Sequence, residues 1–188
     1  MKKILLMILV LVVVGCSSPQ PHFYQPVPVQ NTEITYPKVK GTILLTPLIL
    51  PAEASRPQIT TIGQNNYDLT IDEFNRWGAT PSKLFQHVIN QNLSRYMPNA
   101  SIENQTPVRK NYKYVVSIEI NAMIGKLKQD AMLNASYFIR NRNGNVVKSG
   151  KLNESVAITG DYDDYVLAQS HLLGALSAQI ASDLSNLR

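Results

Sequence analysis

The alternation of apolar and polar positions is clearest in the second half of the chain. Tyr112, Tyr114, Val116, Ile118, Ile120, Ala122 and Ile124 occupy every second position, opposite Lys113, Ser117, Glu119 and Asn121. Successive strand side chains point to opposite faces, so this run predicts a strand with one buried and one wet side. Ala131, Leu133, Ala135, Tyr137 and Ile139 repeat the pattern. Asn143-Gly144 supplies the positive-φ pair of a tight hairpin turn, and Val146 to Ile158 completes a three-stranded antiparallel meander.

Upstream, Thr42 to Leu50 is rich in β-branched and aliphatic residues but contains Pro47. Proline has no N–H to give a ladder, which predicts a broken strand near a sheet edge. Arg56 to Ile62 reads as a short second strand, Gly63-Gln64-Asn65-Asn66 as a turn, and Tyr67 to Ile71 as the return strand. Thr80-Pro81 then starts a helix, with a hydroxyl N-cap and proline at the first helical position. Leu84, Phe85, Val88, Ile89, Leu93, Tyr96 and Met97 recur at helical spacing, opposite Lys83, Gln86, Asn90, Gln91 and Ser94. Pro98-Asn99 closes it. A last helix follows Gly160 to Asp164, with Val166, Leu172, Leu173, Leu176, Ile180 and Leu184 as its apolar set and acids at the end that suits the helix dipole. The order predicts a two-layer α+β domain: an antiparallel sheet, including the C-terminal meander, covered on one face by two helices.

The N-terminus is patterned differently. Lys2-Lys3 precede eleven apolar residues, Ile4 to Val14. That run is short of the roughly 20 needed to cross a bilayer and matches a signal-peptide core. Val13-Val14-Gly15-Cys16 fits the bacterial lipobox, with a small residue just before the cysteine that accepts the lipid. The division is therefore a signal peptide over 1–15, a lipidated proline-rich tether over 16–38 and one domain over 39–188. Pro19, Pro21, Pro26, Pro28 and Pro37 favour extended backbone in the tether. Its Phe23-Tyr24 pair either rides free or docks on the domain edge. Cys16 is the only cysteine, so the fold has no internal disulfide. Several acyl chains, palmitate among them, would make Cys16 a permanent anchor. Ser17 follows it where an inner-membrane retention signal has aspartate, which points to the periplasmic face of the outer membrane.

Removing residues 1–15 leaves 188 − 15 = 173 residues and lowers the charge balance from 18 − 13 = +5 to 16 − 13 = +3. The remaining positive charge is scattered, which argues against nucleic acid as a partner. Catalytic motifs are lacking: His22, His87 and His171 have no acid or nucleophile at a recognised offset. Asp161, Asp163 and Asp164 lack a calcium loop's distal glutamate and read as the start of the last helix. Asp72-Glu73 reads as adjacent acids on a turn before Arg76. Trp77, the only tryptophan, is either an anchor packing the first helix onto the sheet, with Arg76 partly over its ring, or part of a recognition patch.

The lipobox, Phe23-Tyr24, Leu50-Pro51, Arg56-Pro57-Gln58-Ile59 and Arg76-Trp77 before an amphipathic helix resemble the ABC-type transport auxiliary lipoproteins, the PqiC-like lipoproteins. The chain departs from the family at Asn75, where histidine is common, and at Gly78-Ala79-Thr80-Pro81, which lacks an acid before the proline. The resemblance implies a non-enzymatic accessory subunit of an MCE-type lipid transport system that supports envelope integrity. Its implied partners are an MCE-domain transporter subunit, the membrane through the lipid on Cys16, and phospholipid; a homo-oligomer stays open. No cofactor is implied beyond that covalent lipid. Arg56, Pro57, Gln58, Arg76 and Trp77 are the implied partner-binding residues. The competing expectation is a periplasmic carrier holding an acyl chain between sheet and helices, which requires an apolar cavity of several hundred Å³.

Overall fold

The computed structural model describes residues 19–30, 32–104 and 112–187. In chain order its elements are β1 (His22–Tyr24), β2 (Gly41–Leu45), β3 (Gln58–Ile62), β4 (Leu69–Trp77), α1 (Pro81–Tyr96), β5 (Ala100–Glu103), β6 (Tyr114–Lys126), β7 (Asp130–Asn141), β8 (Val146–Ala157) and α2 (Tyr162–Ser185). The class is α+β, with the helices against sheet, but the strands form two sheets. One has five strands in the order β5-β2-β6-β7-β8 and the other has three in the order β1-β4-β3.

The meander β6-β7-β8 is antiparallel, whereas β2 pairs in parallel with both β5 and β6. Parallel neighbours need a long crossover, and α1 lies within the connection between β2 and β5. The strand with the proline is therefore interior. Ile43 and Leu45 are fully buried, and Leu44 nearly so, as suits a strand covered on both faces. Pro47 does break it: β2 ends at Leu45, yet Ile49 rejoins β6 by donating to Ile118 O and accepting from Ile120 N–H. The edge position belongs to β5, whose four residues carry too little pattern to be predicted.

Two departures along the meander have local causes. Ile120 faces Ala135 but Ala122 faces Asn134, so Asn121 is an extra residue in β6. A bulge of one residue shifts the inward parity. Met123 and Gly125 are buried beyond it, and Ile124 is only partly so. The turn between β7 and β8 has positive φ at Gly144 alone. Asn141 accepts from Gly144 N–H through its carbonyl, and its side chain accepts from Asn143 and Asn145 N–H. This is the three-residue hairpin loop in which only the glycine must be left-handed.

The helices cover one face of the five-stranded sheet. Phe85, Ile89 and Leu93 of α1 and Leu173, Leu176 and Ile180 of α2 are fully buried. Pro81 sits at the first helical position as predicted, but the Thr80 hydroxyl makes no capping bond. Its backbone carbonyl serves instead, accepting from Lys83 and Leu84 N–H.

A third layer lies outside the helices. Residues 24–30 form a strap across both. Val27 N–H donates to Ser170 Oγ on α2 (3.0 Å), and Val29 N–H donates to Asn92 Oδ1 on α1 (2.9 Å). The Arg95 guanidinium donates to Val29 O. Asn92 is fully buried, and its amide nitrogen also reaches Ser177 Oγ on α2 (3.4 Å). Val29 lies over Gly174, where a Cβ would stand only 2.9 Å from its methyl group. Phe23-Tyr24 is docked as well, as β1.

Candidate functional site

Three of the segments that carry the family resemblance, around Phe23-Tyr24, Arg56-Pro57-Gln58 and Arg76-Trp77, are far apart in sequence and meet at one end of the three-stranded sheet. Gln58 stands opposite Arg76, Phe23 beside Arg76 and Tyr24 beside Trp77. Trp77 N–H donates to Pro57 O (2.8 Å), and Gly78 N–H donates to Tyr24 O (2.8 Å).

Between Ile59, which faces Asp72, and Gln58, which faces Arg76, β4 carries Glu73, Phe74 and Asn75 as extra residues. Asp72 and Glu73 thus belong to a bulged strand and not to a turn. The Asp72 carboxylate organises the bulge. One oxygen accepts from Phe74 N–H (2.7 Å) and Asn75 N–H (2.9 Å), and the other accepts from the Tyr162 hydroxyl on α2 (2.9 Å). Tyr24 OH donates to Asn75 Oδ1 (3.0 Å), and the Tyr24 and Tyr162 rings lie 6.2 Å apart. Burial alone would raise the Asp72 pKa. The bonds from Phe74, Asn75 and Tyr162 outweigh it and hold the carboxyl below its usual value. Burial first, then the bond to Asp72, pushes Tyr162 well above the usual tyrosine range.

A depressed folded-state pKa contributes stability above the unfolded value, near 4, and loses it as pH falls through the folded value. Asp72→Asn is accordingly expected to be less stable than wild type at pH 7, with the gap closing as pH falls below the ordinary carboxylate range. Urea melts of both proteins across that range check this. A gap that ignores pH would mean the charge on Asp72 does nothing for the fold.

Trp77 is 6 % exposed and meets Phe85 of α1 edge-on, with centroids 5.1 Å apart. It is the helix anchor. Arg76, one strand position earlier, points to the opposite face and so leaves the ring uncovered. Its guanidinium stands 4.0 Å from Glu73, which also accepts from Gln58 Nε2. That exposed ion pair contributes little by itself. Arg56 and Pro57 are exposed, and so are Phe23 and Phe74. The site thus offers a surface of two arginines and an amide beside two phenylalanines.

Other sequence candidates do not come together. His22, His87 and His171 are exposed on three different elements. Asp161 pairs with Lys128 (3.3 Å), whereas Asp164 accepts from Gly160 N–H (2.7 Å) and the Thr159 hydroxyl (3.3 Å). Among the described residues no three His, Cys, Asp or Glu side chains are grouped to hold a metal. A surface hollow of about 200 Å³ has both Asp164 and His171 on its wall. Seven residues of helix separate them, about 10 Å along the axis, too far for an acid–base pair. A wider hollow of about 400 Å³, lined by Lys113, Asn141 and Arg142 among others, lies at the far end of the five-stranded sheet. Between sheet and helices, the space bounded by Trp77, Phe85, Met123 and Tyr165 is only about 10 Å³. Cys16 and the signal segment lie outside the described residues, and no described helix is long and apolar enough to cross a membrane.

Sequence reasoning missed the quartet of Tyr24, Asp72, Asn75 and Tyr162, and also Asn92 and Ser170. Tyr162 lies 90 residues from Asp72, and Ser170 lies 143 from Val27. No local spacing signals either pair.

Fold and site together define an α+β domain with a strapped N-terminal segment and an exposed sheet face. The chain belongs to the family of ABC-type transport auxiliary lipoprotein components, whose family model matches residues 24–181. Its class of work is therefore auxiliary to a transport system, with a transporter as partner and a membrane-associated location. Among solved structures it is similar to an uncharacterised protein at TM-score 0.73 and 13 % identity, over 88 % of this chain and 99 % of that one. It is also similar to a DUF330-family protein from Xanthomonas campestris at TM-score 0.65 and 13 % identity, over 85 % and 92 % of the two chains. At such identity the likeness shows a shared fold. No curated protein matches the chain.

Proposed function

We propose that this protein is a non-catalytic accessory subunit of an MCE-type lipid transport system that supports envelope integrity. Lipid on Cys16 fastens it to the periplasmic face of the outer membrane, and it meets the MCE-domain subunit through Arg56, Pro57, Gln58 and Arg76, held in place by buried Trp77. The observation that carries this reading is the convergence of three family-like segments, around Phe23, Gln58 and Arg76, on one exposed sheet end. Arginine flanked by aromatic rings is the composition of interface hot spots. The carrier alternative has less support, because an acyl chain needs several hundred Å³ and the cavity bounded by Trp77, Phe85, Met123 and Tyr165 holds only about 10 Å³.

A photo-crosslinker at Gln58 is expected to capture an MCE-domain subunit in intact envelopes, and one at Asn153 on β8 is not. Arg76→Ala should weaken the complex about tenfold or more, the effect of removing one hot-spot side chain. Capture of no such subunit from Gln58, with the protein present and folded, would remove the proposal.

A further inference from the structure

The three-stranded sheet carries a second exposed feature, at the opposite end of β4 from Arg76. Tyr67 is 86 % exposed, Leu69 57 % and Ile71 40 %. Leu69 pairs with Ile62 and Ile71 with Thr60, so Leu69 and Ile71 share one sheet face. Large apolar groups clustered in water mark a contact surface. A cation stands at the same tip: Lys126 donates to Gln64 O (2.9 Å), with Asn66 Oδ1 at 3.5 Å.

The direction of the anchor chain says what covers this face. β1 runs parallel to β4, with His22 beside Asn75, so the chain before His22 leaves toward the Leu69 end. Pro19 and Pro21 cannot donate to a ladder, which stops the pairing there. His22 and Cys16 are 22 − 16 = six residues apart, a reach of at most about 20 Å. The strap beyond β1 adds no slack, because Ser170 and Asn92 hold Val27 and Val29.

We propose that Tyr67, Leu69 and Ile71 rest on the lipid bilayer surface to which Cys16 fastens the chain. The proposal builds on the reading of Cys16 as lipid-bearing. A short leash directed along β4 keeps this tip near the headgroups. Tyrosine suits that zone with its apolar ring and polar hydroxyl, and Lys126 suits anionic headgroups. The Arg56 and Arg76 end, most of a nine-residue strand away, stays free for a partner.

The test uses the lipidated full protein in mixed phosphatidylethanolamine and phosphatidylglycerol vesicles containing a doxyl-quencher lipid. Because Cys16 is the only native cysteine and its thiol would be acylated, an added cysteine can be dye-labelled alone. Gln64→Cys places the dye beside the tip. Asn143→Cys places it at the far end of the meander, since Asn141 pairs with Tyr114 and Asp130 with Lys126. Quenching and a blue shift are expected at position 64 and not at 143. Combining Tyr67→Ser, Leu69→Ser and Ile71→Ser should abolish both while the protein still floats with the vesicles. Flotation with equal or no quenching at the two sites overturns the docking and leaves the lipid anchor standing. Loss of flotation overturns the anchor reading, and the docking with it. Concentration-dependent shielding at position 64 without vesicles would assign the face to a second copy and also overturn the docking.

Discussion

Gly150→Ala is expected to cost about 3 kcal/mol of stability, as the sum of forced overpacking and a weakened charged hydrogen bond. At this chain length that lowers Tm by roughly 6–12 °C. Gly150 on β8 stands opposite Tyr137 on β7, and the phenol ring lies across the glycine backbone. A Cβ there would sit 2.3 Å from both Cζ and Oη of the ring. A tyrosine at the surface would swing aside, but this one is fully buried. Its hydroxyl also donates to Asp183 Oδ2 on α2 (2.6 Å), while Asp183 pairs with Lys148 on β8 (3.3 Å). Burial and that bond hold the Tyr137 proton on well beyond the usual pKa. Moving the ring therefore loosens α2 from the meander. In a Tyr137→Leu background the same glycine substitution should cost under about 1 kcal/mol, because the clashing atoms are gone. Equal costs in both backgrounds would show that the ring is not the obstacle.

Asn92→Leu should cost about 2–3 kcal/mol, because a near-equal volume replaces the acceptor of Val29 N–H and the amide beside Ser177. The loss should be local. The strap over residues 25–30 becomes open to proteases, while the sheet and both helices stay folded. Limited proteolysis with mass mapping separates this from general unfolding. Ser170→Ala acts on the neighbouring strap N–H, so the double variant should cut faster than either single one. An unchanged cleavage rate in the double variant would mean that Pro26 and the Val29 contact with Gly174 hold the strap alone.

How much was legible follows from how local each signal was. The helix over Pro81–Tyr96 has its start, its period and its stop within one stretch of chain, and the meander has its alternation and its asparagine-glycine turn. Both were predicted. β5 was not, because four residues cannot display a period. The inward set of β6 was right to Ile120 and wrong beyond it, since one extra residue inverts every later position. Asp72 read as a turn acid because nothing in its neighbourhood announces that Tyr162 will reach it. The proline-rich segment read as a spacer on composition, yet the Val27 and Val29 N–H groups find acceptors on α2 and α1.

The sequence alone determined the class of the domain, the positions of both helices and the meander, and the residues of the family-like motifs. These depend on periodicity and short spacings, which the backbone imposes locally. Only the tertiary structure decided that the sheet splits in two and that α1 bridges parallel strands. It alone decided that Trp77 turns inward while Arg76 turns out, and that the tether is strapped down before it can act as a spacer. Those outcomes depend on register and on hydrogen-bond partners far apart in the chain. A buried N–H must find some acceptor, but only the packed fold selects which one.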